Sequence, residues 1–180
     1  MEIYFTRHGE STMNADNKVA GTYDCELTQK GVRQAQNAAK KISSLDITHV
    51  ISSPLKRALQ TAEILSKDIP SDIQQWNNLH EVGYGDCQNK TRPSNCRTNL
   101  EMISMNICHG AESLQDIEVR AKSIIKKLKQ LPPDARVLVV GHGTFTSIIF
   151  AVLDGVPPDG FLDYRLNWTY ENSEIKKILL

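Results

Sequence analysis

Hydrophobic residues along this chain alternate between short runs and helical spacing, which predicts strands and helices in turn. The segment EIYFT near the start is short and rich in β-branched and aromatic residues, as buried strands are. Val32, Ala35, Ala39 and Ile42 then recur at helical spacing, with Thr28 as the expected N-cap. The next pair is a strand in THVISSP and a helix in LKRALQTAEILSK, whose apolar residues lie on one face.

The second half of the chain repeats this alternation after a long polar segment. DIQQW is a candidate third strand, and residues 77–110 after it show no clear period, as is typical of a functional loop. AESLQDIEVRAKSIIKKLKQL predicts a long helix, RVLVVG a buried strand and TFTSIIFAVLDG another helix. YRLNWTY and EIKKILL are predicted as two strands joined by a turn at 171–173, forming a hairpin at one edge of the sheet.

Strands that alternate with helices predict an α/β fold. We expect a three-layer sandwich with a mostly parallel central sheet, helices on both faces and an edge hairpin. Ligands of such folds bind outside the carboxyl ends of the strands. The segments TRHGE, SSPLKR and GHG stand at three of these predicted ends.

Composition and charge narrow the possible functions. The chain has 180 residues, and we expect a single domain over 1–180 with a loop-rich substrate-specificity segment at about 77–110. The 21 basic residues balance 21 acidic ones without a concentrated block, which argues against a nucleic-acid partner. No apolar run approaches the roughly 18 residues of a membrane span, so we predict a cytoplasmic protein with no membrane partner. The oligomeric state stays open.

The four cysteines are scattered and form no CxxC pair. A chain of this size is stable without covalent links, so Cys25, Cys87, Cys96 and Cys108 are predicted to be thiols. One disulfide or a redox role is the alternative.

Two histidines stand before glycine at predicted strand ends, and two arginines accompany them. The topology would bring His8, His142, Arg7 and Arg57 into one crevice. Neighbouring guanidiniums keep an imidazole neutral and nucleophilic, and they also bind phosphate oxygens. The set therefore predicts phosphoryl transfer by in-line attack of one imidazole. No metal or other cofactor is required.

The segments TRHGESTMN, ISSPLKRALQTAE, LHEVGYGD and VVGHG occur in the order seen in the histidine phosphatase superfamily, which this chain resembles over nearly its whole length. The resemblance implies that His8 is the nucleophile that forms a phosphohistidine. It assigns the phosphate pocket to Arg7, Arg57 and His142, the leaving-group proton to Glu81, and further substrate contacts to Asn14, Gly21, Tyr84 and Gly143.

Other positions of the resemblance point to structural roles. Glu112 and Ser113 resemble a helix start, where capping and positioning are expected, and Glu10 is expected to tune the loop of the nucleophile. His80 replaces an arginine common in relatives and is either a surface residue or a group that supports the substrate site.

The acceptor of the phosphoryl group separates the possible activities. Water as acceptor gives a phosphatase, whereas a second substrate hydroxyl gives a mutase, which must exclude water. Between Arg92 and Gly110 no doubled arginine of the mutase kind occurs, so we predict a phosphoric monoester hydrolase acting on small phosphomonoesters. A phosphoglycerate mutase, a protein-directed or phosphohistidine phosphatase, and a non-catalytic binding protein remain alternatives. Lys90, Arg92 and Arg97 either bind a second acidic group or are surface charges.

Overall fold

A five-stranded sheet forms the centre of the computed structural model, which describes residues 1–168 and 170–180. The strand order is β3-β2-β4-β1-β5, and only β5 runs antiparallel to its neighbour. The strands are β1 (Glu2–Arg7), β2 (His49–Ser52), β3 (Ile73–Gln75), β4 (Arg136–Gly141) and β5 (Ile175–Leu179).

Helices connect the strands, and the predicted caps begin two of them. The helices are α1 (Thr12–Ala15), α2 (Gln29–Ile42), α3 (Lys56–Leu65), α4 (Asn99–Ser104), α5 (Leu114–Leu128), α6 (Gly143–Leu153) and α7 (Phe161–Asn167). Thr28 Oγ1 accepts a hydrogen bond from the Gly31 amide at 3.1 Å, and Ser113 Oγ accepts one from the Asp116 amide at 3.1 Å. Both hydroxyls satisfy an amide that has no partner within its helix. No helix in the described part of the chain is long and apolar enough to cross a membrane.

Hydrophobic residues cover both faces of the sheet, which confirms the three-layer sandwich. Successive side chains of a strand point to opposite faces. Ile3 and Phe5 accordingly belong to the cluster packed against α5 and α6, whereas Tyr4 belongs to the cluster packed against α2 and α3. The central strands are thus buried on both sides, as their unbroken apolar runs predict.

The register aligns the carboxyl ends of the central strands. Arg7 at the end of β1 pairs with Gly141 at the end of β4, and the His8 amide donates to Gly141 O at 3.0 Å. Ser52 at the end of β2 pairs with Val140. The residues after these three strands therefore meet at one edge of the sheet.

The predicted edge hairpin is wrong. Residues 161–167 form α7 instead of a strand, and Thr169 lies outside the described residues. Residues 170–173 lie beside Arg7 and His8, to which they are joined by hydrogen bonds. The aromatic residues of YRLNWTY suggested a strand, but the helix buries Phe161 completely and packs α7 against α6 and α4. β5 is an antiparallel edge strand, as expected, but it pairs with β1.

Candidate active site

Two imidazoles meet where β1 and β4 end. The rings of His8 and His142 have centroids 5.2 Å apart and planes inclined by 62°. Both side chains are buried. The adjacency follows directly from the pairing of β1 with β4, because each histidine is the first residue after its strand.

The hydrogen bonds of His8 define which ring nitrogen can react. Nδ1 lies 2.7 Å from Gly9 O, and a carbonyl oxygen can only accept, so Nδ1 carries the hydrogen. Nε2 is therefore unprotonated in the neutral ring and accepts from Arg57 Nε at 3.2 Å. Burial lowers the pKa of His8 well below its usual value, and the positive charges of Arg57 and Arg7 lower it further. The imidazole is thus neutral at physiological pH, with a free lone pair on Nε2.

Arg57 is held rigidly although it is fully buried. Its Nη2 donates to Gly21 O at 2.7 Å and its Nη1 to Tyr23 O at 2.9 Å. Backbone carbonyls carry no net charge and therefore do not neutralise a guanidinium. No carboxylate in the described residues forms an ion pair with Arg57. Arg57 therefore presents a positive charge to whatever binds beside His8.

Arg7 and His142 each carry a buried nitrogen without a hydrogen-bond partner in the described residues. Arg7 Nη1 donates to Tyr170 O at 2.9 Å, but Arg7 Nε has no acceptor. His142 Nε2 lies 2.7 Å from Ser53 Oγ, and His142 Nδ1 has no partner. Buried polar groups are almost always hydrogen-bonded, and of these two nitrogens Arg7 Nε belongs to a residue that lines the cavity.

Glu81 lies at the amino end of α6. Its Oε2 accepts from the Thr144 amide at 3.1 Å, and its Oε1 accepts from the Phe145 amide at 2.8 Å and the Val82 amide at 3.0 Å. These bonds satisfy otherwise unpaired amides of the first helical turn and fix the orientation of the carboxylate. Oε2 accepts a single bond, which leaves a lone pair that can hold a proton.

A single cavity unites most of the residues that sequence reasoning proposed. It is lined by Arg7, His8, Asn14, Gly21, Arg57, Glu81 and Gly143. The backbone of Gly143 comes so close that an added Cβ would lie 3.2 Å from Arg7 Nε, so glycine leaves room for the guanidinium. Asn14 Oδ1 accepts from the Ser11 amide at 3.1 Å and the Ser11 hydroxyl at 3.0 Å. The side-chain nitrogen of Asn14, Nδ2, then remains available to donate a hydrogen bond.

Comparison of the amino-acid sequence with protein-family models identifies the family. A model of the histidine phosphatase superfamily (branch 1) matches residues 3–177. The chain belongs to this superfamily. Membership supports the predicted class, a phosphoric monoester hydrolase.

Relatives of this histidine phosphatase carry several names. It is 32% identical over 165 residues to the probable phosphoglycerate mutase GpmB of Escherichia coli O1:K1, a match that covers 87% of this chain and 76% of the relative. Among solved structures, a putative α-ribazole-5′-P phosphatase from Escherichia coli K-12 is similar with a TM-score of 0.79 and 26% identity, covering 91% of this chain and 84% of that one. Phosphoserine phosphatase from Entamoeba histolytica, in complex with 3-phosphoglyceric acid, has a similar fold with a TM-score of 0.81 and 23% identity, covering 98% and 89%.

Tyr84 does not contact the cavity, so its predicted place in substrate binding is wrong. The side chain is fully buried, and its hydroxyl donates to Thr144 Oγ1 at 3.2 Å. Burial raises the pKa of Tyr84, and the charge of Glu81 raises it further. Tyr84 instead supports the helix start that holds Glu81, because Thr144 also donates its amide to that carboxylate.

His142 also lies off the cavity surface, although it is close to the nucleophile. It is fully buried, and its ring centroid lies 5.2 Å from that of His8. Burial lowers the pKa of His142 well below its usual value, with Arg57 as the next cause. His142 Nε2 lies 2.7 Å from Ser53 Oγ, which also accepts a hydrogen bond from the Leu55 amide at 3.3 Å. Ser53 thereby fixes the orientation of the His142 ring.

The three residues predicted to have structural roles do make structural contacts. Glu10 accepts from Thr28 Oγ1 at 2.9 Å and Lys30 Nζ at 2.7 Å, and these bonds, that of Lys30 first, lower the pKa of Glu10. Glu112 pairs with Arg120 at 2.7 Å and accepts from the Gly83 amide at 3.1 Å. Ser113 caps α5.

His80 is half-buried beside the site, with its Nδ1 2.7 Å from Glu81 O. Its own carbonyl accepts from Arg120 Nη1 at 2.7 Å. The segment that carries Glu81 is therefore anchored to α5.

A disulfide closes the loop-rich segment, so the prediction of four thiols is wrong at two positions. Cys87 and Cys108 are joined, while Cys25 and Cys96 are buried thiols. The pairing is possible because the Asp86 amide donates to His109 O at 3.0 Å, which returns the far end of the segment to its start. Nothing in the cysteine spacing reveals that return.

Several residues of the site escaped sequence reasoning. Thr144 follows directly after Gly143, and Ser53 stands inside the segment ISSPLKRALQTAE, so their positions were a usable signal for their roles in holding Glu81 and His142. Lys18 and Arg165 also line the cavity. No feature of the sequence pointed to Arg165, because the pattern of its segment predicts a strand. Only the packing of α7 brings Arg165 to the cavity.

Acid is expected to destabilise this histidine phosphatase through its two buried imidazoles. The pKa values of His8 and His142 are lowered in the folded protein, while in the unfolded chain they return to about 6.5. The unfolded state therefore binds more protons below about pH 6.5, and the free energy of unfolding falls there by up to roughly 1.4 kcal/mol per pH unit for each histidine. Above that pH the full stability is present. Urea denaturation between about pH 7.5 and 5.5 measures the slope.

Variants separate the two imidazoles from other groups that titrate. His142→Gln should reduce the slope, while His49→Gln, which changes a histidine at the opposite end of the sheet, should leave it unchanged. Equal stability across the whole range would contradict the buried neutral state of both rings.

Proposed function

We propose that this protein is a metal-independent phosphatase that hydrolyses small phosphomonoesters through a phosphohistidine at His8. The observation that carries the proposal is the unprotonated His8 Nε2 in a cavity that Arg7 and Arg57 also line, because neither guanidinium forms an ion pair with a carboxylate of the described residues. A tetrahedral phosphoryl group supplies an electrophile for His8 Nε2 and acceptors for the two guanidiniums.

The phosphoryl oxygens would be held by positive charge and by fixed donors. Arg7 and Arg57 contribute guanidiniums, and Asn14 contributes a neutral donor, while the buried His142 ring packs against that of His8. The negative charge that spreads over the oxygens during transfer is stabilised best by donors that are already in place. Arg57 meets this condition because two carbonyls fix its guanidinium. These side chains perform the charge neutralisation that a metal ion supplies in other phosphatases.

In the first step, the lone pair on His8 Nε2 attacks phosphorus and the ester P–O bond breaks. Glu81 gives its proton to the departing oxygen, which leaves as an alcohol. Glu81 is placed for this role because it lines the cavity and its Oε2 accepts only one hydrogen bond. His8 Nδ1 keeps its hydrogen and continues to donate it to Gly9 O, and this hydrogen bond stabilises the positive charge that develops on the ring.

The second step reverses the roles. The Glu81 carboxylate accepts a proton from water as the water oxygen attacks phosphorus, and the P–Nε2 bond breaks. Inorganic phosphate leaves, and His8 returns to its neutral form with Nε2 free. One proton donor thus serves both half-reactions without any other titratable group.

Phosphoglycerate mutase activity is the second candidate, and the 32% identity to a probable phosphoglycerate mutase favours it. In that reaction a hydroxyl of the bound substrate replaces water in the second step. Two similar structures carry phosphatase names instead, one for α-ribazole-5′-P and one for phosphoserine. All these names concern small phosphate esters, which supports the substrate class common to both candidates.

One experiment tests the phosphatase and separates it from the mutase. In excess EDTA, the protein should release phosphate from p-nitrophenyl phosphate, and quenching in base should preserve a phosphorylated peptide that contains His8. Incubation with 3-phosphoglycerate should yield inorganic phosphate rather than 2-phosphoglycerate, as followed by 31P NMR. Activity that requires added metal, or phosphate found on another residue, would contradict the proposal. Accumulation of 2-phosphoglycerate would favour the mutase.

A further inference from the structure

The cavity beside His8 holds far more positive charge than one phosphate group needs. The chain as a whole is balanced, with 21 basic and 21 acidic residues. The cavity nevertheless places Glu81 among six cations, namely Arg7, Lys18, Arg57, Arg92, Arg97 and Arg165. Four of these lie beyond the proposed phosphate pocket, and we call Lys18, Arg92, Arg97 and Arg165 the outer basic cluster.

Arg165 is the member of the cluster that has a buried nitrogen without a hydrogen-bond partner among the described residues. It belongs to α7, and its Nη1 donates to Trp168 O at 3.0 Å. Its Nε is buried and has no acceptor in the described part of the chain, and no carboxylate there pairs with it. Burial lowers the pKa of Arg7, and the charge of Arg165 contributes to the same lowering, so the two guanidiniums are electrostatic neighbours.

Arg92 and Arg97 approach from another wall, formed by the segment between the bonded cysteines. Arg97 is oriented by Glu101, with Nε–Oε1 at 3.1 Å and Nη2–Oε1 at 3.0 Å, and its side chain is still 72% exposed. Arg92 Nη1 lies 3.5 Å from Asn99 Oδ1, a weak contact that leaves most of its donors free. The helix that follows Arg97, α4, contacts α7, so the two walls are adjacent.

Lys18 completes the cluster on the side of Asn14. Its Nζ is 4.0 Å from Asp16 Oδ2; the Asp16 side chain is exposed and that of Lys18 is half-buried. Such a pair contributes little in water, so Lys18 is free to bind an incoming anion. Its position beside the long segment is set by an isolated bridge between Lys18 and Thr91.

We infer that the outer basic cluster binds a second anionic group of the substrate, a carboxylate or a second phosphate, and that Arg165 is its main selective residue. The inference rests on the proposed function, since it assigns the phosphate ester itself to Arg7 and Arg57. Gathering cations around one cavity is unfavourable unless an anion occupies it. Guanidinium forks from two walls also match the paired oxygens of carboxylate and phosphate.

The test compares three phosphate esters that differ in the second group. These are 3-phosphoglycerate, which carries a carboxylate, propane-1,3-diol bisphosphate, which carries a second phosphate, and glycerol 3-phosphate, which carries neither. We expect kcat/KM for at least one of the doubly anionic esters to exceed that for glycerol 3-phosphate by about tenfold or more, the size of one charge-assisted contact. The ester with the larger ratio identifies the second group.

Arg165→Gln should lower this ratio by about tenfold, and Arg165→Lys, which retains the charge, should restore part of it. Arg97→Gln provides a second variant at an exposed side chain and should lower the ratio in the same direction. Because Arg97 pairs with the buried Glu101, the folding of this variant is checked by thermal unfolding. Arg33→Gln makes the same charge change at an exposed position of α2 and should leave the ratio unchanged. A wild-type ratio near one, or equal losses on all three esters, would overturn the inference.

Binding to His8→Ala separates this inference from the proposed function. Titration calorimetry of the three esters requires no turnover, so discrimination in binding that disappears in His8→Ala combined with Arg165→Gln would support the cluster even if no ester were hydrolysed. Equal affinity for all three esters, or no binding of any, would overturn the cluster whatever the catalytic result.

Discussion

His8→Ala is expected to lower phosphate release from p-nitrophenyl phosphate by a factor of at least about 10³, since removing the nucleophile of a covalent mechanism leaves only residual catalysis from binding. No other described side chain can take its place. His142 is the nearest imidazole, but it is fully buried, its Nε2 is engaged with Ser53, and it does not line the cavity. The base-stable phosphopeptide should disappear together with the activity.

The His8 variant also removes the acceptor of Arg57 Nε, so its folding must be measured separately. An unpaired buried donor costs about 1–3 kcal/mol, which thermal unfolding followed by circular dichroism would register. His49→Ala is the matched control, because this histidine lies at the amino end of β2, away from the cavity. Activity close to wild type in a folded His8→Ala protein would remove the covalent mechanism.

Glu81→Gln is expected to lower the hydrolysis of an alkyl phosphate such as glycerol 3-phosphate by about 10² to 10⁴-fold, the usual contribution of a positioned general acid. The loss on p-nitrophenyl phosphate should be much smaller, because nitrophenolate leaves without being protonated. The difference between the two substrates is the signature of proton donation to the leaving group. It is measured as the ratio of kcat values for wild type and variant on each ester.

A structural contribution of Glu81 must be separated from this chemical one. The carboxylate accepts amide hydrogens from Thr144, Phe145 and Val82, and a glutamine would set its own NH₂ group against one of them. Glu112→Gln provides the matched control, since Glu112 also accepts a loop amide but does not line the cavity. Glu112→Gln should change kcat by the same factor for glycerol 3-phosphate and for p-nitrophenyl phosphate. Equal losses on both esters in Glu81→Gln would show that Glu81 only positions the loop.

Local patterns were sufficient for the central layers of the fold. The apolar runs of β1 and β4 could be identified because strands buried on both faces have little room for polar residues. Caps at Thr28 and Ser113 were readable because a hydroxyl before a helix has a specific task there. The short helices α1, α4 and α7 were not found, since a helix of four to seven residues contains too few turns to establish a period.

Some residues of the site could likewise be placed from local patterns, whereas others depend on tertiary packing. Arg7, His8 and Gly143 adjoin strand ends, so topology alone placed them at one edge of the sheet. Tyr84 belonged to a motif segment, but the direction of its side chain depends on its contact with Thr144. The Tyr84 side chain therefore lies in the core. A residue's place in a motif indicates its neighbourhood but not its orientation.

By itself, the sequence determined that this protein is an α/β histidine phosphatase with imidazoles and guanidiniums at the carboxyl ends of its strands, because the periodicity of apolar residues and the chemistry of the motif side chains are local properties of the chain. Only the tertiary structure decided which nitrogen of His8 is free, that Cys87 and Cys108 are joined, and that Arg165 reaches the cavity from a helix far along the chain. Each of these depends on distances between segments remote in sequence, which are set when the chain packs and which no local pattern encodes.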